Sequence, residues 1–392
     1  MAEPQLRVPG PTPLPERVLR SASRPMINHR GPEFAELLDE VVSGLKWALR
    51  TQNDVLLFPS SGTGGLEAAV VNTLSQGERA LFCTMGSFGE RWAAIGKAFD
   101  CDVVQLSVTP GEPIDPEDVD RILAEHADIT TVFITHNETS TGVVNELAAL
   151  AAVTKGRGKL LCVDAVSSAG CVALQTDQLG IDILITGSQK GWMAPPGVTM
   201  VAVSAAAFER AATAKLPRFY LDFAREKKYQ DKQQTFTTPP VSVLYALQEG
   251  LRMMRDEGIE AVWARHARIG RMIRAGVDAV GLKLLAAEGH RSDTVTALYN
   301  PADTAEALKQ LLTHLRQRYG LVLAGGQDDL KGKIFRIGHL GWIDDADVYA
   351  ILSTLEQGLV DLGLLTRAGL AVAAAQAEAR ATAPVAEPAS VH

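Results

Sequence analysis

Ile181-Asp-Ile-Leu-Ile-Thr-Gly-Ser-Gln-Lys190-Gly-Trp-Met-Ala-Pro-Pro-Gly197-Val-Thr-Met-Val201 is an apolar strand that ends in small residues and presents one lysine before a rigid Pro-Pro-Gly turn. Most lysines that follow a strand turn into solvent. An ammonium held close to apolar strand residues is costly, so the pKa of Lys190 is expected to fall and its neutral amine to become a nucleophile toward an aldehyde. That is the chemistry of a Schiff-base lysine, and one lysine alone is a weak sign of it.

A second run strengthens the sign. Lys159-Leu-Leu-Cys-Val-Asp164 is another apolar strand, and it ends in a carboxylate 26 residues before Lys190. That spacing fits one helix-containing crossover between parallel neighbours and puts Asp164 and Lys190 on the same carboxyl edge. An aspartate facing a pyridine nitrogen keeps it protonated, as the electron sink of pyridoxal phosphate requires.

Working outward, apolar runs at Asp54–Phe58, Arg79–Cys83, Asp102–Leu106, Thr131–Thr135, Leu160–Asp164, Ile183–Thr186 and Val198–Val203 are separated by stretches with helical patterning. They predict an α/β fold whose mostly parallel sheet is covered on both faces. From Val241 to about Val280 the period becomes helical, with Leu244, Leu247, Leu251 and Met254 on one face, and a long linking helix is expected. A smaller α+β unit with strands over Thr294–Tyr299 and Lys333–Gly338 follows. The expected division is an N-terminal arm over 1–15, a large domain over 16–260, a small domain over 261–367 and a tail over 368–392. The tail is Ala-rich and nearly devoid of large apolar residues, so a frayed helix followed by disorder is expected there.

The chain has 392 residues and a net charge of −8, with scattered Lys and Arg, which argues against nucleic acid or an anionic membrane as partner. No stretch has the length and apolarity of a membrane span, and the first residues lack a signal-peptide core, so a cytoplasmic protein is expected. Cys83, Cys101, Cys162 and Cys171 form no CxxC pair, which points to reduced, buried thiols and to no metal.

Two further segments carry chemistry. The strand Val55–Phe58 runs into Pro59-Ser-Ser-Gly-Thr-Gly-Gly and then a helix, where glycines let an anion approach free N–H groups at the positive end of the helix dipole. An ordinary strand-to-helix turn is the alternative. The glycines do not make a GxGxxG spacing, which argues against a nicotinamide dehydrogenase. Arg336, between Phe335 and Ile337 on a short strand, needs a partner when buried, and its planar fork fits either a substrate carboxylate or an internal salt bridge.

Together with Gly10-Pro-Thr-Pro, Ser61-Gly-Thr-Gly, Gly86-Ser-Phe-Gly-Glu-Arg, His136-Asn-Glu-Thr-Ser-Thr-Gly, Gly187-Ser-Gln-Lys190, Thr238-Pro-Pro-Val and Phe335-Arg336-Ile-Gly, these segments make residues 8 to 365 resemble the class V, fold type I, pyridoxal-phosphate aminotransferases. The likeness is to the alanine/serine:glyoxylate (serine:pyruvate) branch. It implies pyridoxal 5'-phosphate as cofactor, a seven-stranded sheet, a homodimer with shared active sites, and amino transfer from alanine or serine to glyoxylate or pyruvate. By this resemblance Lys190 and Asp164 are the catalytic pair. Ser61, Gly62, Thr63 and Gln189 hold the cofactor phosphate, Phe88 stacks on its ring where many relatives have Trp, and Thr139 bonds its phenolic oxygen.

The resemblance also implies that Thr238 reaches the neighbouring subunit's phosphate and that Arg336 takes the substrate α-carboxylate. Thr235 departs from the Tyr of several glyoxylate aminotransferases. His29 and Arg30 are similar to a pair that helps phosphoserine aminotransferases bind a second anionic group, so a phosphoserine or aspartate aminotransferase is the alternative. A cysteine desulfurase usually has His before its lysine, where this chain has Gln189. A non-catalytic scaffold, suggested by relatives labelled as hydrogenase subunits, would have lost Lys190 or Asp164, and both are present.

Overall fold

The seven apolar runs form one sheet. In the computed structural model, which describes residues 4–382, its spatial order is Asp54–Phe58, Thr199–Val203, Ile183–Gly187, Leu160–Asp164, Thr131–Thr135, Arg79–Thr84 and Asp102–Ser107. Thr199–Val203 runs antiparallel to both of its neighbours and all other pairs are parallel. Side chains alternate between two cores, as a strand period of two requires. Val55, Leu57, Val132, Ile134, Leu161, Val163 and Leu184 face one layer. Leu56, Phe58, Phe133, Cys162, Ile183 and Ile185 face the other.

The helices Pro32–Leu49 and Val241–Glu257 cover the first face through Val41, Leu45, Leu244 and Leu251. The helices Gly62–Thr73 and Ser87–Ala98 cover the second through Leu66, Val70 and Trp92. Because Thr199–Val203 opposes both neighbours, Asp54–Phe58 points the same way as the parallel set. The ends at Phe58, Thr84, Thr135, Asp164 and Gly187 therefore share one edge, the place where α/β sheets bind ligands.

Asp164 and Lys190 come from adjacent parallel strands, but their connection differs from expectation. Residues 165–182 are turns without a helix, bent where Gly170 and Gly180 take positive φ. The single long helix expected after Val241 is also two helices, Val241–Glu257 and Ile259–Ala279, broken at Gly258 with φ 89°. An L side chain rarely adopts that backbone, and glycine does so without steric cost.

The smaller unit has a three-stranded antiparallel sheet with Ile334–Gly338 between Val295–Tyr299 and Ala324–Gly325. The helix Ile259–Ala279 gives Ile259 and Val262 to the large core, and Ile269, Met272, Ile273 and Val277 to the small one. The Ala-rich segment needs correction as far as residue 381. Leu370–Ala381 is a helix whose Ala371, Ala375 and Ala379 are buried in the small core, while the expectation for 383–392 lies outside the described residues. At the other end, Gln5–Leu6 pairs in parallel with Leu321–Val322, so the N-terminal arm is tied to the small unit before it crosses to Lys190. Among the described residues no helix is long and apolar enough to cross a membrane.

Candidate active site

A cavity of about 260 Å³ opens at the carboxyl edge, lined among others by Gly10, Ser61, Gly62, Thr63, Phe88, Arg91, Asn137, Thr139, Asp164, Gln189 and Lys190. A groove of about 980 Å³ elsewhere, between the helix Ala305–Tyr319 and Val322–Gly326, is larger. It contains none of the strand-end groups, so the smaller cavity is the one equipped for chemistry.

Lys190 is buried, and its Nζ donates to the Pro9 carbonyl at 2.5 Å. Burial lowers its pKa from 10.5 to about 8, with Asp164 pulling the other way. The arm can reach it only because residue 10 is glycine, with φ +122°. A Cβ there would lie 2.6 Å from the lysine Cδ and 2.8 Å from Nζ.

Asp164 is buried at its strand end. One oxygen accepts from the Val166 N–H at 2.8 Å, and no cation lies within salt-bridge range among the described residues. Burial raises its pKa to about 7, with the Glu138 carboxylate adding to the rise and Lys190 opposing it.

The glycine turn starts the helix Gly62–Thr73. Ser61 is the N-cap with φ −84° and ψ 170°, yet its hydroxyl makes no capping bond. A Cβ on Gly62 would lie 2.8 Å from Val166 Cγ2, so backbone N–H groups are what the turn can offer at that point. Arg91 Nη1 donates to Thr63 Oγ1 at 3.2 Å, and its guanidinium stands 4.9 Å from the centre of the Phe88 ring. Lys190 Nζ is 6.0 Å from that same ring.

Phe88 is placed by its own backbone. Its N–H and that of Gly89 donate to Glu138 Oε2 at 3.1 and 3.2 Å, while Ser87 N–H donates to Ser140 Oγ at 3.0 Å. The buried Glu138 thus caps the helix that carries the ring.

The cavity meets the needs of pyridoxal phosphate. Gln189 Oε1 and Asn137 Oδ1 are buried without a partner, and a half-turn of the Gln189 amide would aim its NH2 donors, in place of that oxygen, at a phosphate. A protonated ring nitrogen would supply the cation that Asp164 lacks, and the free N–H groups at Ser61–Thr63 with Arg91 suit a phosphate. Among the described residues no cluster of His, Cys, Asp and Glu could hold a metal. Burial pushes the thiols of Cys83 and Cys171 up to about 12 and that of Cys101 to about 11, which leaves them inert.

Other expected residues lie outside the cavity. Arg336 adjoins it, donating through Nη1 to the Thr139 carbonyl at 3.0 Å. Thr238 lines a shallow neighbouring depression that shares Ser61 and Pro196 with the cavity. Thr235 spends its hydroxyl on the Thr237 carbonyl at 2.8 Å. His29 and Arg30 are not in this lining. Arg30 donates to Gln234 Oε1 at 2.8 Å and lies 5.4 Å from the Tyr229 ring, and His29 packs edge-on to Phe34.

Sequence reasoning passed over Gly10, Arg91, Asn137 and Glu138 as functional positions. All four stand inside the motifs that begin at Gly10, Gly86 and His136, so position within a motif was the available signal.

A chain that aims a buried amine, an unpaired carboxylate and an anion cradle into one cavity at the carboxyl edge of this sheet is a pyridoxal-phosphate lysine enzyme. Residues 9–329 match the family model for aminotransferase class-V. The chain is 43% identical over 361 residues to the soluble hydrogenase, small subunit, of Synechococcus sp. (strain PCC 6716), covering 91% of this chain and 93% of that one. It is 39% identical over 386 residues to the L-aspartate–glyoxylate aminotransferase of Paracoccus denitrificans (strain Pd 1222), covering 97% of each. The crystal structure of pyridoxamine-pyruvate aminotransferase from Mesorhizobium loti superposes with a TM-score of 0.91 at 32% identity, over 97% of this chain and 98% of that one. The chain belongs to the class V aminotransferase family and is a pyridoxal-phosphate-dependent aminotransferase.

Proposed function

We propose that the enzyme moves the amino group of a small L-amino acid, alanine or serine, to glyoxylate or pyruvate. The observation that carries this reading is the small cavity into which Lys190 and Asp164 converge, with the buried cation Arg336 beside it. A cavity of about 260 Å³ that must take both cofactor and substrate favours a substrate with a short side chain.

Bound pyridoxal phosphate supplies an aldehyde that takes up amines and a ring that draws electrons from the Cα–H bond. The Lys190 amine would take the proton from substrate Cα and carry it to the carbon of the cofactor's former aldehyde group, a task suited to a base with a pKa of about 8. Asp164 would hold a proton on the ring nitrogen. Ser61, Gly62, Thr63 and Gln189 would hold the phosphate, Phe88 would stack on the ring, Thr139 would bond the phenolic oxygen, and Arg336 would take the α-carboxylate.

A homodimer in the cytoplasm completes the reading, with Thr238 contributed to the neighbouring phosphate. Cytoplasmic residence is supported by four cysteines that form no disulfide.

The test is a matrix of kcat/KM for alanine, serine, aspartate and phosphoserine against glyoxylate, pyruvate and 2-oxoglutarate. Alanine or serine with glyoxylate or pyruvate is expected to lead. The second reading is an aspartate or phosphoserine donor, which the name of the Paracoccus relative favours for aspartate. It needs a cation for the second anionic group, and His29 and Arg30 are the pair assigned to it. Arg30→Ala is expected to leave alanine and serine turnover nearly unchanged. An aspartate or phosphoserine preference that disappears in Arg30→Ala would establish the second reading.

A further inference from the structure

Arg336 is buried and charged, yet among the described residues it touches no carboxylate. Of the five N–H donors of a guanidinium, Nε and one on Nη2 donate to the Gly325 carbonyl at 3.0 and 2.8 Å. Those of Nη1 donate to the Thr139 carbonyl at 3.0 Å and to Gln327 Oε1 at 3.1 Å. Every acceptor is neutral, so the charge is solvated by dipoles and awaits an anion.

The acceptors differ in what can move. Gly325 is fixed in the strand Ala324–Gly325, and Thr139 follows the short strand Asn137–Glu138. Gln327 alone binds through a side chain, from a half-buried position in the loop that follows Gly325. Two parallel N–H groups are needed to grip a carboxylate as a fork, and one of the Nη1 donors is occupied by Gln327. An incoming carboxylate must therefore displace that amide or share its donor, and it can do so because a charge-assisted bond is about twice as strong as a neutral one.

We propose that Gln327 is a placeholder in the carboxylate subsite. Its neutral amide keeps Arg336 solvated and aimed in the empty site, then yields Nη1 to the substrate, so the charge at position 327 sets how tightly amino donors bind. Gln327 is a positioning residue, and its role rests on the reading of Arg336 as the α-carboxylate site.

The holoenzyme and its Gln327→Glu, Gln327→Ala and Arg336→Ala variants are compared by kcat and KM for alanine and by the inhibition constant of propionate, a carboxylate with no amine to react. In Gln327→Glu a fixed carboxylate pairs with Arg336 and competes with the ligand. KM and the propionate constant are expected to rise about tenfold or more while kcat changes little. Gln327→Ala, which removes the placeholder without adding charge, is expected to shift both constants much less.

Equal shifts in the Ala and Glu variants would overturn the proposal by making the effect one of lost packing. Unchanged constants in Gln327→Glu, or a loss confined to kcat, would overturn it too. If Arg336→Ala fails to weaken propionate, the reading of Arg336 falls and takes Gln327 with it. If Arg336→Ala weakens propionate and Gln327→Glu does not, the placeholder alone is wrong.

Discussion

Asp164 and Asp182 are both buried carboxylates at strand ends of the same sheet, on opposite edges. Asp182 precedes Ile183 at the amino edge and is saturated. Its Oδ2 accepts from Lys155 Nζ at 2.6 Å and from Leu161 N–H at 2.8 Å, and its Oδ1 accepts from Ser204 Oγ at 3.0 Å. Asp164 ends its strand at the carboxyl edge with the Val166 N–H on one oxygen and a cavity before it. One carboxylate is consumed in joining strands and helices. The other keeps unused capacity where a ligand can meet it, and burial without a cation leaves its pKa near 7. A buried charge reads as functional when its partners are missing, and as structural when they are all present.

Exchanging each carboxylate for its amide should separate the two edges. Asp164→Asn keeps the shape and removes the charge, and a barrier raised by about 3–5 kcal/mol would slow turnover by hundreds-fold or more. Its melting temperature should stay close to that of the unmodified protein. Near-normal turnover would mean that the wrong carboxylate has been chosen.

A smaller effect is expected from pH. Lys190 has its pKa lowered to about 8, so the neutral amine should dominate above that value and not only above the ordinary 10.5. The rate at which cofactor-free protein captures pyridoxal phosphate should climb about tenfold per unit below pH 8 and level off above it. A rate still climbing past pH 10 would place Lys190 in solvent.

Asp182→Asn should do the reverse of the Asp164 change. Loss of the Lys155 pair costs roughly 1–3 kcal/mol, read as a lower melting temperature, while kcat of the folded fraction should hold. A loss of kcat at unchanged stability would erase the distinction between the edges.

Much of the carboxyl edge was legible in the sequence because each part is local. An apolar run ending in Asp164, another leading to Lys190, and a glycine turn before a helix each announce themselves within ten residues. What could not be read depends on contacts far apart in the chain. The break at Gly258 was hidden because Ile259 and Val262 continue an apolar helical pattern beyond it.

The helix Leu370–Ala381 looked too poor in large residues to pack. It succeeds because its partner carries Gly276, where a Cβ would come within 3.0 Å of the Ala371 carbonyl, so small residues bury one another at close approach. The Pro9 carbonyl on Lys190 and the Gln327 amide on Arg336 are made by folding alone. Neither leaves a pattern in the sequence around it.

The most direct test is to reduce the purified, cofactor-loaded protein with borohydride and map the modified peptide by mass spectrometry. The visible absorbance of the cofactor should bleach, and a single phosphopyridoxyl mass should appear on Lys190, with none on Lys190→Ala protein. The same mass on any other lysine, with Lys190 unmodified, would contradict the central claim.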